Sequence, residues 1–371
     1  MSTKILQILY SGLGGHSSVA FTFIEASIQH YSVDHFLIFY GIEPVAPGYA
    51  DACSRLGIPY LYVSTREGQP WSSWSDLVRA IRRVRPDAVI LHSIKAIAAV
   101  RFALSDQPLI AVEHQPNALK SRAEWVVSAI AQLLANRVVM LSPDYNRTIR
   151  SHLGPLYSSK RTAVVPTGIN LLPFLRKSVK RPLSTTVRIG MAARFSPTKA
   201  QITLVEAVGS LLRSYPEINW QLTLPGDGVC QRDVAEAINL AGLQQNIELP
   251  GHLPSDQLPA WFSTLDVYAH SSDGETLSTA LLQAMAAGVP IVASDVLGIS
   301  DLLGPPSLGE LPLARLVPSR DSKAFAQAIH ADVADPAQSS DRSARARLHV
   351  MQHHSPEAML AGYSTLLHPL L

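Results

Sequence analysis

Short apolar runs alternate with longer amphipathic segments along most of the chain. Apolar runs of about four to eight residues bounded by glycine, proline or polar residues are typical of buried strands, and the amphipathic segments are typical of helices. The predicted strands are residues 5–10, 35–41, 58–63, 88–92, 109–112, 138–141, 163–165, 187–192, 220–226, 247–251, 266–272 and 291–293. Strands that alternate with helices form parallel sheets covered on both faces, so the sequence predicts an α/β protein.

The alternation breaks at residues 171–186, which are basic, contain prolines and show no clear period. We therefore predict a Rossmann-like domain over residues 1–170, a linker over 171–186 and a second Rossmann-like domain over 187–350, as the length of 371 residues allows. The C-terminal segment 351–371 is predicted to be helical and to pack back on the first domain. A polar tract around residues 335–340 is predicted to be loose. Two similar α/β domains joined by a linker predict a cleft between them.

The segment from Ser271 to Leu303 combines an acidic turn with a small-residue helix and a β-branched strand. Gly288 ends the helix, because glycine tolerates the left-handed conformation that follows a helix. A helix N-terminus carries about half a positive charge and unpaired N–H donors, so this one is a candidate phosphate site. An ordinary α/β unit in which Glu275 caps the helix explains the same pattern, and the residues alone leave both interpretations open.

A glycine-rich turn over residues 11–17 follows the first predicted strand. A dinucleotide-binding fingerprint requires a third glycine and an acidic residue after the next strand. Ser17 occupies the third glycine position and that strand ends at Gly41, so the pattern indicates close approach of a ligand rather than NAD binding. Ligands bind at the carboxyl ends of parallel strands. The residues at such ends are Gly14, Gly15, His92, His114 and Ser142.

Arg194 and Lys199 lie on the predicted loop after the first strand of the second domain. Together with a helix N-terminus near Ser278, two cations can neutralise a pyrophosphate, although a solvated loop pair is the simpler interpretation of their spacing. The sequence has no nucleotide-binding loop of the type G-x-x-x-x-G-K-[ST] and no Asp-x-Asp or His/Cys cluster, so no metal site is expected.

Composition narrows the class of protein further. Hydrophobic residues make up 47% of the chain and charged residues 16%, which is typical of a folded globular protein. The two cysteines are far apart and are expected to be reduced and buried, which favours a cytoplasmic location. The first 170 residues carry 16 basic and 11 acidic side chains, too small an excess for nucleic-acid binding. No signal peptide and no membrane span are expected.

Several motifs resemble those of one enzyme family. They are the Gly14-Gly15 turn, the strand-end His114, VPTGIN at 165–170, GMAARFSPTK at 190–199, PGDG at 225–228 and the E-x7-E-like block that begins at Glu275. Together they span nearly the whole chain and resemble the retaining glycosyltransferases of family four, the "group 1" sugar transferases. The resemblance implies a GT-B fold, in which two Rossmann-like domains face a cleft.

The resemblance also implies roles for individual residues. Arg194 and Lys199 match the basic pair that binds the donor pyrophosphate and stabilises the leaving nucleoside diphosphate. Glu275 matches a glutamate that contacts the donor sugar, and His114 matches a histidine that orients the sugar near its anomeric carbon. The remaining donor-binding positions it implies are Gly14, Gly15, Gly226, His252, Leu253, Ser278, Thr279 and Gln283.

This chain departs from the family pattern at several positions. The second glutamate of E-x7-E is Gln283, which keeps an acceptor oxygen for the ribose but carries no charge. We expect this change to weaken or redirect nucleotide binding. Ser278 replaces an expected glycine, and Thr167 and Asn170 replace the usual Asn and Asp.

The function implied is metal-independent transfer of a sugar from a nucleotide sugar, a UDP- or GDP-sugar, to a hydroxyl of a glycan or lipid-linked acceptor in surface polysaccharide synthesis. The enzyme is expected in the cytoplasm, with peripheral contact to the inner membrane. The arginine helix at 79–85 and the basic segment Lys120-Ser121-Arg122 are expected to face lipid or a charged glycan. The alternatives are a sugar-nucleotide epimerase of similar fold and a partner subunit that binds sugar nucleotides with little catalysis. A phosphorylase would need a pyridoxal lysine and a longer chain.

Overall fold

The computed structural model divides the chain into two compact units, Met1–Ile169 with His353–Leu371, and Asn170–Gln352. The residues that the structure describes are 2–12, 15–175, 186–305, 307 and 309–367. Of the predicted linker, residues 176–185 therefore lie outside the described residues.

The first unit is built on a seven-stranded, fully parallel sheet. Its strands are β1 (Thr3–Leu9), β2 (Val33–Gly41), β3 (Tyr60–Ser64), β4 (Ala88–Leu91), β5 (Leu109–Val112), β6 (Arg137–Met140) and β7 (Thr162–Val164). Its first six helices are α1 (Gly15–His30), α2 (Pro47–Leu56), α3 (Trp74–Val84), α4 (Ile97–Ala103), α5 (Arg122–Leu134) and α6 (Pro143–Leu153). The strand order 3-2-1-4-5-6-7 reverses direction between β1 and β4. At such a switch point the connecting loops diverge and leave a crevice at the carboxyl ends of the strands.

The second unit repeats the arrangement with a six-stranded parallel sheet. Its strands are β8 (Thr186–Gly190), β9 (Asn219–Thr223), β10 (Ile247–Glu248), β11 (Val267–His270), β12 (Ile291–Ser294) and β13 (Arg315–Val317). Its helices are α7 (Gln201–Ser214), α8 (Gln231–Leu240), α9 (Leu258–Phe262), α10 (Thr279–Ala287), α11 (Ile299–Leu303), α12 (Ser322–Ala334) and α13 (Pro336–His353). The order 10-9-8-11-12-13 places the switch point between β8 and β11. A final helix, α14 (Pro356–Leu367), belongs to the first unit.

Each sheet supplies the centre of its own hydrophobic core. Every residue of β4 and β5 in the first unit and of β11 and β12 in the second is buried. Strands buried on both faces need continuous apolar runs, which is the pattern the sequence shows. The predicted class, α/β with two Rossmann-like parallel-sheet domains, is confirmed.

Some local predictions were wrong. The tract around 335–340 is not loose, because α13 begins at Pro336 and Asp335 Oδ1 accepts a hydrogen bond of 3.0 Å from the backbone N–H of Gln338. The buried carboxylate of Asp332, on α12, also binds Arg342 of α13. Helices α2 and α4 and strand β13 escaped prediction, and β13 has only three residues.

Lys120 was predicted to lie on a surface that faces lipid or a charged glycan, and this prediction is wrong. Its side chain is 1% exposed, and its Nζ lies 2.8 Å from Glu113 Oε2 and 2.9 Å from Ser128 Oγ. The aromatic rings of Trp125 and Tyr145 flank the same ammonium group. A pattern of basic residues does not show which of them finds an acidic partner inside the fold. The cysteine prediction holds only in part, because Cys53 is buried but Cys230 is half-buried.

Candidate functional site

The loop after β8 presents the two predicted cations at the switch point of the second sheet. Arg194 is exposed, and its backbone carbonyl accepts a hydrogen bond of 3.0 Å from Gln201 Nε2. Lys199 ends a short 3-10 turn, and Ala200 then adopts a left-handed conformation with φ of 44° before α7 begins. This tight reversal projects Lys199 beside the adjacent strand β11.

The segment after β11 is hydrogen-bonded to that loop. Ser271 Oγ lies 2.9 Å and 3.0 Å from the carbonyl oxygens of Lys199 and Ala200, and the backbone N–H of Asp273 donates to Thr198 O over 2.9 Å. The carboxylate of Asp273 binds Arg320, and this pairing lowers the pKa of Asp273. The two loops on either side of the switch point therefore form one connected structure.

Glu275 is the centre of this structure. Its Oε1 binds Lys199 Nζ and lies 2.9 Å from His270 Nε2, while the side chains of Lys199, Glu275 and His270 are only 19%, 11% and 1% exposed. Burial opposes ionisation of Glu275, but Lys199 and His270 outweigh it and lower the pKa of the carboxyl to about 2. Burial lowers the pKa of His270, so its ring is neutral and donates Nε2–H to the carboxylate. The hydroxyl of Tyr268 lies 3.2 Å from His270 Nδ1 and ends this series of hydrogen bonds.

The carboxylate of Glu275 is thus bound by Lys199 and His270, whereas the simpler interpretation had it cap the following helix. Helix α10 has Ser278 at its N-cap position, with no hydrogen bond from the backbone to that side chain. Ser278 is buried and Thr279 half-buried. Gln283 is half-buried on α10, about one turn after Thr279.

Two glycines allow close approach of neighbouring backbone at this edge. Gly226 follows β9 with φ of 150°, and a Cβ there would lie 2.0 Å from Ala193 O. Gly298 has φ of 87°, and a Cβ there would lie 2.1 Å from Glu275 O. Any other side chain at Gly298 would displace the backbone that carries Glu275. The remaining predicted donor positions, His252 and Leu253, follow β10 and are exposed and half-buried respectively.

In the first unit, His114 follows β5 and is half-buried. Its Nε2 lies 2.8 Å from His92 Nδ1, and His92 Nε2 lies 3.1 Å from Gln7 Oε1. With the amide oxygen of Gln7 as acceptor, a neutral His92 donates from Nε2 and accepts at Nδ1, so His114 carries its proton on Nε2. The hydrogen bonds thus connect β1, β4 and β5 across the carboxyl edge of the sheet. Gly14 lies outside the described residues, and Gly15 opens α1.

Sequence reasoning singled out Lys199 and Glu275 but missed His270, Asp273 and Gly298 as members of this site. His270 ends a buried strand, and that position was a usable signal. Among the residues described, no cluster of three or more His, Cys, Asp or Glu side chains forms a metal site. No described helix is both long enough and apolar enough to cross a membrane.

The two doubly wound parallel-sheet units define a two-domain Rossmann-like protein. The lysine–glutamate–histidine cluster at the switch point of the second unit makes its loops candidates for anion binding. Residues 14–171 match the profile of Glycosyltransferase Family 4, and residues 186–335 match that of Glycosyl transferases group 1. The chain belongs to the GT-B glycosyltransferases of the family 4 type. The predicted resemblance is confirmed.

Individual relatives match the chain over part of their own length. The chain is 30% identical over 298 residues to an exopolysaccharide phosphotransferase of Streptomyces coelicolor, and the match covers 78% of this chain and 29% of the relative. It is 29% identical over 178 residues to the putative colanic acid biosynthesis glycosyltransferase WcaL of Escherichia coli, covering 46% of this chain and 42% of that protein. The chain thus spans less than half the length of these two relatives. The structure of Anabaena HepE with UDP and glucose shares the fold, with a TM-score of 0.81, 18% identity and 99% coverage of both chains.

Proposed function

We propose that this protein is a retaining glycosyltransferase that moves a sugar from a UDP- or GDP-sugar to a hydroxyl of a glycan or lipid-linked acceptor, in the synthesis of a bacterial surface polysaccharide. The observation that carries the proposal is the Lys199–Glu275–His270 cluster at the switch point of the second sheet. It holds a cation suited to phosphate and a carboxylate suited to sugar hydroxyls within one connected pair of loops. The two named relatives support a role in polysaccharide synthesis.

In the proposed reaction the donor separates Lys199 from Glu275. The pyrophosphate takes the ammonium of Lys199 together with Arg194 and the N–H groups of Ser278 and Thr279. Because its partner Lys199 is then engaged, Glu275 accepts hydrogen bonds from the donor sugar while His270 continues to hold it. In the free protein, Lys199 and Glu275 therefore form an ion pair, and each side chain compensates the charge of the other.

Negative charge grows on the nucleoside diphosphate as it leaves, and Lys199 and Arg194 stabilise that charge. Because the positive charges of Lys199 and Arg194 can compensate this negative charge, we propose that transfer needs no metal. The acceptor hydroxyl attacks the same face of the sugar, and its proton goes to the departing phosphate. His114 is proposed to hydrogen-bond the donor sugar. Gly14, Gly15, Gly226, His252, Leu253 and Gln283 are proposed to complete donor binding.

We also propose that the enzyme acts at the cytoplasmic face of the membrane. A groove of about 700 Å³ between α3 and α4 is lined by Trp74, Val78 and Phe102, and Phe102 is 73% exposed. Arg79 and Arg82 border these apolar residues, with the Arg82 guanidinium 5.5 Å from the Phe102 ring centroid. Exposed aromatic and basic side chains on one surface are suited to an anionic bilayer. The Phe102→Ser variant should bind anionic vesicles less tightly than the parent protein, and equal binding would contradict the assignment.

The decisive experiment incubates the protein with a panel of sugar nucleotides and acceptors, with and without EDTA, and follows products by mass spectrometry. Lys199→Ala should reduce transfer about 10²- to 10³-fold without loss of fold, while the exposed Arg213→Ala on α7 serves as a control. NMR of the product reports whether the anomeric configuration is retained. Donor binding without transfer or hydrolysis would favour a partner subunit, and an epimerised sugar nucleotide would favour the epimerase alternative. Loss of activity with EDTA would contradict metal independence.

A further inference from the structure

A second pocket lies in the first unit, at the amino-terminal edge of its sheet. It has a volume of about 370 Å³ and is lined by residues 133–136 together with four basic side chains. Arg137 is the first residue of β6, and Arg161 immediately precedes β7. His114 follows the carboxyl end of β5, so the pocket and the candidate histidine lie at opposite edges of the same parallel sheet.

The pocket is strongly and uniformly positive. Arg101, Arg137, Lys160 and Arg161 line it, and no acidic side chain among the described residues does. None of the four forms an ion pair in the part of the chain that the structure describes. Like charges around one concave pocket repel each other, and a bound anion removes that repulsion.

Backbone carbonyls hold all three guanidinium groups in place, and Arg137 Nη1 donates to Asn136 O over 3.0 Å. Arg161 Nη1 donates to the carbonyls of Gln132 and Leu133 over 3.0 Å and 2.7 Å, at the C-terminal end of α5. Arg101 Nη2 donates to Ser105 O over 2.6 Å. A helix C-terminus contributes only about half a negative charge, so it leaves the four cations largely uncompensated. The arginines are thereby oriented while other N–H groups remain available to a ligand.

The size and chemistry of the pocket fit a small anion. Its volume is at the low end of the range of about 300–1,000 Å³ for small-molecule sites, which suits a phosphate or pyrophosphate group better than a whole nucleotide sugar. Guanidinium groups bind phosphate oxygens through two parallel hydrogen bonds. Leu133 at the rim is 58% exposed, so a ligand with an apolar part also finds a contact there.

We propose that this pocket binds a phosphoryl group, distinct from any donor phosphate held at the switch point of the second sheet. The phosphoryl group belongs either to a free phosphate or pyrophosphate or to the headgroup of an anionic phospholipid. The proposal requires no sugar transfer and stands apart from the proposed function.

Two binding assays on the full chain test it. Sodium pyrophosphate binding is measured by calorimetry, and binding to vesicles of phosphatidylcholine with phosphatidylglycerol is measured by sedimentation, with pure phosphatidylcholine vesicles as the blank. The test variant is Arg137→Gln/Lys160→Gln. The matched control, Arg232→Gln/Lys323→Gln, removes two exposed cations from helices of the second unit. Lys199→Ala removes the predicted donor-phosphate contact.

We expect the test variant to weaken binding of at least one probe tenfold or more, while the control variant retains it. Lys199→Ala should retain vesicle binding and should lose only the pyrophosphate bound at the switch point of the second sheet, so that the pyrophosphate bound by the pocket remains in the calorimetric titration. Loss of pyrophosphate binding identifies a free phosphoryl ligand, and loss of vesicle binding alone identifies a lipid headgroup. The proposal is overturned if neither probe binds the parent protein, or if the test and control variants bind both probes equally. It is also overturned if Lys199→Ala abolishes pyrophosphate binding and the test variant weakens binding of neither probe. Circular dichroism of each variant confirms that it is folded.

Discussion

Replacing Lys199 with methionine should destabilise the second unit and change how its stability depends on pH. Methionine keeps most of the length of the lysine side chain but removes the ammonium that binds Glu275 Oε1. The carboxylate of Glu275, only 11% exposed, is left with the neutral His270 as its hydrogen-bond donor. A mostly buried charge that loses its counter-charge is strongly unfavourable.

The pKa of Glu275 sets the magnitude. Its lowering from the ordinary value of 4.5 to about 2 corresponds to about 3 kcal/mol of stability. Because the pKa is lower in the folded state, this contribution is fully present above pH 4.5 and disappears as the pH falls from 4.5 towards 2. Lys199 and His270 together lower this pKa, and the charge of Lys199 is the largest of these contributions, so Lys199→Met should cost up to about 3 kcal/mol at pH 7, or a fall in Tm of up to about 6–12 °C for a unit of this size. The loss of stability between pH 5 and pH 3 should become smaller or reverse, since burial then raises the pKa of Glu275.

The assay is urea unfolding at pH 7, 5 and 3 for the parent, Lys199→Met, Glu275→Gln and the double variant. The two charges act as a pair, so the double variant should cost less than the sum of the single variants by about 2 kcal/mol. Arg320→Met is the control, because the Arg320–Asp273 pair is exposed at its arginine end and should contribute about 1 kcal/mol or less. Additive costs, or an unchanged pH dependence in Lys199→Met, would refute the reasoning.

Three further predictions concern other parts of the chain. Gln283→Glu should change the affinity for nucleoside diphosphates, measured by calorimetry, and an unchanged affinity would contradict the ribose contact. Gly298→Ala should lower the free energy of unfolding in urea by more than about 2 kcal/mol, because its Cβ would overlap a backbone carbonyl. The control Gly309→Ala, at a similar φ of 89° but with no neighbouring atom near its Cβ, should lower it by only about 1–2 kcal/mol. Lys120→Met should lower the free energy of unfolding by about 3–5 kcal/mol, because it leaves Glu113 buried without its cation. The double variant Lys120→Met/Glu113→Gln should recover most of that loss. Equal stability of the single and double variants would show that the pair is not coupled.

The residues that carry candidate chemistry could be named from the sequence only where their position along a strand is informative. Lys199 and Glu275 each follow a clear buried strand, which made them candidates, but their predicted roles came from the family resemblance. His270 was missed although it ends a buried strand, because a strand-end position alone does not show which group the ring contacts. Its importance comes from a contact with Glu275, and that contact requires the turn at residues 271–274 to fold back on the end of β11.

Lys120 shows the opposite failure. Its neighbours Ser121 and Arg122 are exposed and fit a basic surface segment, while Lys120 itself turns inward to Glu113. Two charged residues seven positions apart give no sequence signal of such a pair, because they are joined by a loop and not by one face of a helix.

The sequence by itself determined the class of the fold and most of its elements, because burial on both faces of a parallel sheet demands continuous apolar runs, and helices between them demand an amphipathic period. Only the tertiary structure decided that Lys199 and Glu275, 76 positions apart, bind each other. It also decided that residue 298 must be glycine, because a Cβ there would overlap the backbone carbonyl of Glu275. These contacts depend on the order of strands, in which β8 lies beside β11 although β9 and β10 come between them in the chain. Local periodicity carries no information about that order, so only the assembled sheet brings the two loops together.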